Sequence, residues 1–167
     1  MRASKIIIVF TALLFANGAC CQTFEHLTLK NSIGKKVLVN EVFSQSKPNL
    51  IIFWKMTDQR SCNNLKETIQ VVIDSIGLEK IEVVAVCSGE PGSFALAEPW
   101  FKSQGFDLDF YYDINEELGR QMGIKAPYTI IIHPKLNLVY RNCNYSFGNE
   151  AIICSVLQDC LSQTAEK

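Results

Sequence analysis

Leu50-Ile51-Ile52-Phe53-Trp54 is an unbroken apolar run, and from Ser61 onward the period changes: Leu65, Ile69, Val72 and Ile76 recur at helical spacing. An unbroken run of this kind reads as a central strand covered on both faces, feeding an amphipathic helix. Between them lies Lys55-Met56-Thr57-Asp58-Gln59-Arg60-Ser61-Cys62, the segment around which the rest of the chain is organised.

Upstream, Phe24 to Val42 alternates apolar and polar residues, with Ile33-Gly34-Lys35-Lys36 as the turn of a hairpin. Downstream, Gly77 stops the helix, and Ile81 to Val86 is a second buried strand ending at Cys87-Ser88-Gly89. Pro91 and Pro99 favour first-turn positions, so Pro91 to Ser103 is one kinked helix or a turn followed by a helix from Pro99. Phe106 to Tyr112 reads as a short strand or extended segment, and Asn115 as the cap of a helix from Glu116 to Met122, closed by Gly123. Ala126 to Ile132 is a strand that begins with proline, turning through His133 to Asn137 into an antiparallel partner, Leu138 to Arg141. A last helix, from about Asn149 to Leu161, carries the stripe Ile153, Val156, Leu157 and Cys160. This order predicts an α/β domain with a central mixed β-sheet, helices on both faces and an N-terminal β-hairpin.

The length of 167 residues, 48% of them hydrophobic and 20% charged, suits one domain with a sizeable core. A net charge of -1 without a run of Lys or Arg gives no basis for binding nucleic acid. The chain opens with Arg2 and Lys5, the apolar run Ile6 to Ala16 and then small residues, the three-part pattern of a secretory signal. That run is too short to span a bilayer as a permanent helix. Residues 1–21 are therefore expected to be a leader and residues 22–167 the folded domain. Gly18-Ala19-Cys20 resembles a bacterial lipobox, with Asn17 where the pattern has Leu, so lipidation of Cys20 and plain cleavage near Ala19 or Cys21 both remain open. Either implies export to the periplasm or cell envelope, with membrane contact only through a lipid on Cys20.

Five cysteines follow the leader: Cys62, Cys87, Cys143, Cys154 and Cys160, no two of them at CxxC spacing. Cys87, Cys154 and Cys160 read as core, Cys143 is free to pair with Cys154 or Cys160, and Cys62 has no partner near it in sequence. His26 and His133 have no other ligand at metal spacing, so no metal site is expected, and no motif implies a cofactor. Asp107, Asp109, Asp113, Glu116 and Glu117 read as a solvated acidic surface.

The leading hairpin with Gly34-Lys35, the strand into Phe53-Trp54, the Asp113 to Gly123 helix and Ile124-Lys125-Ala126-Pro127-Tyr128-Thr129 resemble, in this order, the exported thioredoxin-fold proteins of the TlpA/ResA type. The resemblance implies a thioredoxin-like fold and a cis Pro127. In that family Phe-Trp is followed by Cys-x-x-Cys, and aligning this chain without a gap puts Asp58 at the nucleophile and Ser61 at the resolving position. With one inserted residue, Cys62 takes the resolving position and Gln59 replaces the nucleophile.

The thiolate of such a site is held at a helix N-terminus, where free N–H groups favour an anion. Asp58 there can cap the helix but cannot attack a disulfide. Two readings follow. One is a redox-degenerate protein that binds an extended peptide or protein partner in a groove formed by Trp54, Asp58, Ser61, Ala126, Pro127 and Tyr128, with the backbone at Ala126 free to pair. The other is a monothiol thiol-disulfide oxidoreductase with Cys62 as its catalytic nucleophile, resolved by an external thiol.

Overall fold

A computed structural model describes residues 26–134, 138–143, 146 and 148–165. The expected leader with Cys20, and residues 135–137 of the second hairpin turn, lie outside the described residues. In chain order the elements are β1 (Thr28–Asn31), β2 (Lys36–Leu38), α1 (Val39–Val42), β3 (Asn49–Trp54), α2 (Gln59–Ser75), β4 (Glu82–Gly89), α3 (Phe94–Ser103), β5 (Phe110–Ile114), α4 (Glu117–Met122), β6 (Tyr128–Ile132), β7 (Leu138–Asn142) and α5 (Asn149–Ala165). The strands form one mixed sheet in the order β2-β1-β5-β4-β3-β6-β7.

All six residues of β3 are buried, because β4 pairs with it in parallel on one side and β6 antiparallel on the other. Its side chains alternate between two cores, as the pleat requires. Leu50, Ile52 and Trp54 enter a core with Leu65, Ile69 and Val72 of α2, Phe101 of α3, and Ile153 and Leu157 of α5. Ile51 and Phe53 enter the opposite core with Val39 of α1 and Leu118 of α4. Helices therefore cover both faces of the sheet, as expected.

The N-terminal hairpin is present, with Thr28 opposite Leu38 and Lys30 opposite Lys36, and β1 continues into antiparallel pairing with β5. Two details differ from the sequence reading. Val39–Val42, read as the end of a strand, is a single helical turn. The Pro91 region is a 3-10 turn at Pro91–Ser93 followed by a helix, as one of the two readings had it, but α3 starts at Phe94 and carries Pro99 inside it. At the far edge, β7 pairs with β6 through a register shift at Ile131/Ile132 and exposes Leu138 and Val139.

The strand before α4 runs later than its aromatic residues suggested, taking in Asp113 and Ile114. Asn115 therefore does not cap α4. Asn115 and Glu116 both have φ of 55°, and the cap comes from Asp113, whose carboxylate accepts from Leu118 N at 2.8 Å and Gly119 N at 2.9 Å. Asp113 is 2% exposed, so it does not belong to a solvated acidic surface, and Glu116 is paired with Lys55. Only Asp107, Asp109 and Glu117 of that group are exposed.

Asp113→Ala leaves two helix N–H groups without an acceptor and is expected to lower stability by about 2–3 kcal/mol in urea unfolding. Burial pushes the Asp113 carboxyl up, against the Gly119 and Leu118 N–H groups that pull it down. With a folded pKa above the unfolded one, its contribution to stability is complete below about pH 4 and declines as pH rises through the folded value. Asp113→Asn cannot titrate, so it is expected to flatten that part of the pH–stability curve in urea titrations between about pH 3 and pH 6.

Candidate functional site

The C-terminal ends of β3, β4 and β5 and the N-terminal end of β6 lie at one end of the sheet, because β3 is parallel to β4, β4 to β5, and β6 runs the other way. The loops at this end include residues 55–58 after β3, 90–93 after β4, Asn115 and Glu116 after β5, and residues 123–127 before β6. The β3–β6 register ends at Phe53 opposite Tyr128, which carries Ala126-Pro127 to the same end as Trp54 and Lys55. The Ala126–Pro127 peptide bond is cis, and both residues are partly exposed.

Asp58 is the N-cap of α2, with extended backbone and a carboxylate that accepts from Arg60 N at 3.0 Å. Behind it, Asp58 N donates to Lys55 O at 3.2 Å and Cys62 N to Asp58 O at 3.0 Å, so the helix starts directly from a tight turn. Ser61 is completely buried, and its hydroxyl oxygen accepts from Lys55 N at 2.8 Å, tying the end of β3 to the first turn of α2. The Lys55 ammonium reaches across to the carboxylate of Glu116 and joins the β3–α2 loop to the turn before α4.

Cys62 is 2% exposed. Its thiol points at Lys55 O, 3.5 Å away, and Met56 O, 3.9 Å away. Burial pushes the thiol up, and the charge of Asp58 pushes it further in the same direction. A helix N-terminus alone would have favoured the thiolate. Here the first turn is already capped by a carboxylate and the sulfur is turned into the core.

The six residues expected to line a groove separate into two groups. Asp58, Ala126 and Pro127 are partly exposed at the sheet end. Trp54 and Ser61 are sealed, and Tyr128 is 9% exposed among Phe53, Leu118 and Ile130. Trp54 packs its ring 5.0 Å from that of Trp100 and 6.3 Å from that of Phe101, so it supports the site from beneath and does not line it. Gln59, which the one-residue-shifted alignment places at the nucleophile, forms the exposed part of the rim with Thr57 and Arg60, which the sequence reading did not place in the groove.

Cys143 is exposed and Cys62, Cys87, Cys154 and Cys160 are buried, all as free thiols, and no bond joins Cys143 to Cys154 or Cys160 in this reduced state. Among the described residues no group of three or more His, Cys, Asp or Glu side chains is placed to hold a metal ion. A cavity of about 490 Å³ opens at the other end of the sheet, beside Glu82, Phe101, Asp107, Asp109 and Phe110, and is not part of this site.

No protein-family model and no curated protein matches the sequence. Solved structures do match. A thioredoxin-like protein of Porphyromonas gingivalis is similar with a TM-score of 0.66 at 23% identity, over 82% of this chain and 90% of that one. A secreted thiol-disulfide isomerase of Corynebacterium glutamicum gives 0.67 at 11% identity, over 81% and 83%. An exposed lipoprotein thioredoxin of Streptococcus pneumoniae gives 0.58 at 21% identity, over 80% and 98%. The sheet order, the strand running into α2 and these structural likenesses together assign the chain a thioredoxin-like fold, the fold of the thiol-disulfide oxidoreductases.

Proposed function

We propose that this chain is an exported protein of the cell envelope that uses the thioredoxin fold without its catalytic CxxC pair. It binds an extended peptide or protein partner at the sheet end formed by residues 55–60 and Ala126-Pro127. The observation that carries this reading is Asp58 as the N-cap of α2. The position from which a thiolate would attack is filled by a carboxylate already bonded to the helix N-terminus, while Ala126 and Pro127 stay partly exposed. Export is supported by the leader-like N-terminus and by structural neighbours described as secreted or as an exposed lipoprotein. Cys20 is the residue that would carry a lipid.

The rival role, Cys62 as the nucleophile of a monothiol oxidoreductase in envelope redox homeostasis, requires a reachable thiolate. Burial and Asp58 both oppose it.

Two assays separate these roles. In insulin reduction with excess glutathione the protein is expected to show no turnover above buffer; turnover that disappears in Cys62→Ala would overturn the binding role in favour of the enzyme. In an NMR titration with reduced, carboxymethylated insulin B chain, shift changes are expected at residues 55–60 and 124–128. Ala126→Trp is expected to weaken that binding about tenfold, or about 1.4 kcal/mol, with the circular dichroism spectrum unchanged. Shifts confined to other surfaces would sink the groove.

Alkylation gives an internal comparison, because Cys143 is exposed and Cys62 is not. With iodoacetamide and peptide mapping of the native protein at pH 7.5, Cys62 is expected to react at least about a hundredfold more slowly than Cys143.

A further inference from the structure

Cys62 and Cys87 are remote in sequence, and the sequence offers Cys62 no neighbouring sulfur. The fold supplies one. The Cys62 thiol points at the carbonyl oxygens of Lys55 and Met56, at 3.5 and 3.9 Å. The Met56 N–H also eases ionisation of the Cys87 thiol, and a charge on Cys62 opposes it, so both groups act on that one sulfur. The β3–β4 register explains this convergence. Trp54 stands opposite Cys87, so the chain leaving β3 passes beside Cys87, and the first turn of α2 brings the Cys62 thiol back against Lys55 and Met56, the two residues that follow Trp54. Both residues lie in one core cluster, and neither is bonded to another sulfur.

We propose that Cys62 and Cys87 form a redox pair that closes to a disulfide beside Met56, through thiol–disulfide exchange with a low-molecular-weight disulfide of the glutathione type. The Cys62 thiolate attacks the external disulfide, forming a mixed disulfide and expelling one external thiolate. The Cys87 thiolate then attacks the Cys62 sulfur of that mixed disulfide and expels the second. Two protein thiols give up two electrons and two protons, and the external disulfide leaves as two thiols.

Cys62 attacks first because Cys87 is the harder to ionise: burial pushes it up to about 12, against the Met56 N–H that lowers it, and a charge on Cys62 raises it again. With both sulfurs buried, exchange waits for local opening of the 55–58 loop, which makes the pair a slow redox-responsive bridge and not a turnover catalyst. Closing it removes the S–H that faces the Lys55 and Met56 carbonyls, so the oxidation state acts directly on the loop at the rim of the candidate groove. The pair does not depend on what that groove binds.

The test uses the full chain with Cys143→Ser, which removes the exposed competitor. It is equilibrated under native conditions with glutathione disulfide and glutathione in ratios from reducing to oxidising, quenched in acid, alkylated and mapped without reduction. The expected result is loss of two thiols at the oxidising end, with the Cys62 peptide joined to the Cys87 peptide in at least half of the molecules, reversed by dithiothreitol. Cys62→Ala and, separately, Cys87→Ala are expected to abolish the linked peptide. If Cys62 and Cys87 both remain free thiols at every ratio, or if oxidation joins either to Cys154 or Cys160 instead, the pair does not exist. The mapping of the Cys143→Ser protein decides this even if a core cysteine variant fails to fold.

Discussion

Everything in this fold depends on burying β3 from all sides at once. Its backbone is paired along both edges, and its side chains are divided between two cores, Leu50, Ile52 and Trp54 to one and Ile51 and Phe53 to the other. Each buried Leu, Ile or Phe is worth about 1.5–3 kcal/mol relative to exposure, so displacing this one strand would cost both helical layers their floor. The candidate site is the place where that strand stops. Ser61 accepts from Lys55 N immediately beyond Trp54, so the geometry of the loop is inherited from the core beneath it.

Asp58 and Asp113 show how one residue type plays two electrostatic roles in the same domain. Both are helix caps. Asp58 is partly exposed, and its charge discourages a thiolate at Cys62. Asp113 is sealed, and the two N–H groups it serves partly offset the cost of burying its charge. Beside Asp113, Glu116 adopts a left-handed backbone and reaches Lys55, so the two loops of the sheet end are held by one ion pair. The result is a rim fixed by polar contacts on a floor fixed by packing.

Much of this was readable from residue order. The apolar run at Leu50–Trp54, the period of α2 and the hairpins follow from local patterns, the cap at Asp58 from the family resemblance, and the structure has them all. What local patterns missed depends on distance. Asn115 looked like the cap of α4 because it sits next to the helix in sequence, but the left-handed turn hands that task to Asp113. Trp54 and Ser61 looked like groove residues because they flank the motif, yet the pleat and the helical turn point them into the core. Cys87 comes to stand opposite Trp54, at the start of the loop that leads to Cys62, only through a parallel pairing that no spacing rule encodes.

At the far side of the sheet, β7 is an outer strand with Leu138 and Val139 in solvent, the kind of border along which chains can zip together. The register shift at Ile131/Ile132 breaks the regular ladder beside it, and Arg141 places a charge on the exposed stretch. An irregular, charged border is a poor template for an incoming strand, which limits fibril-like stacking.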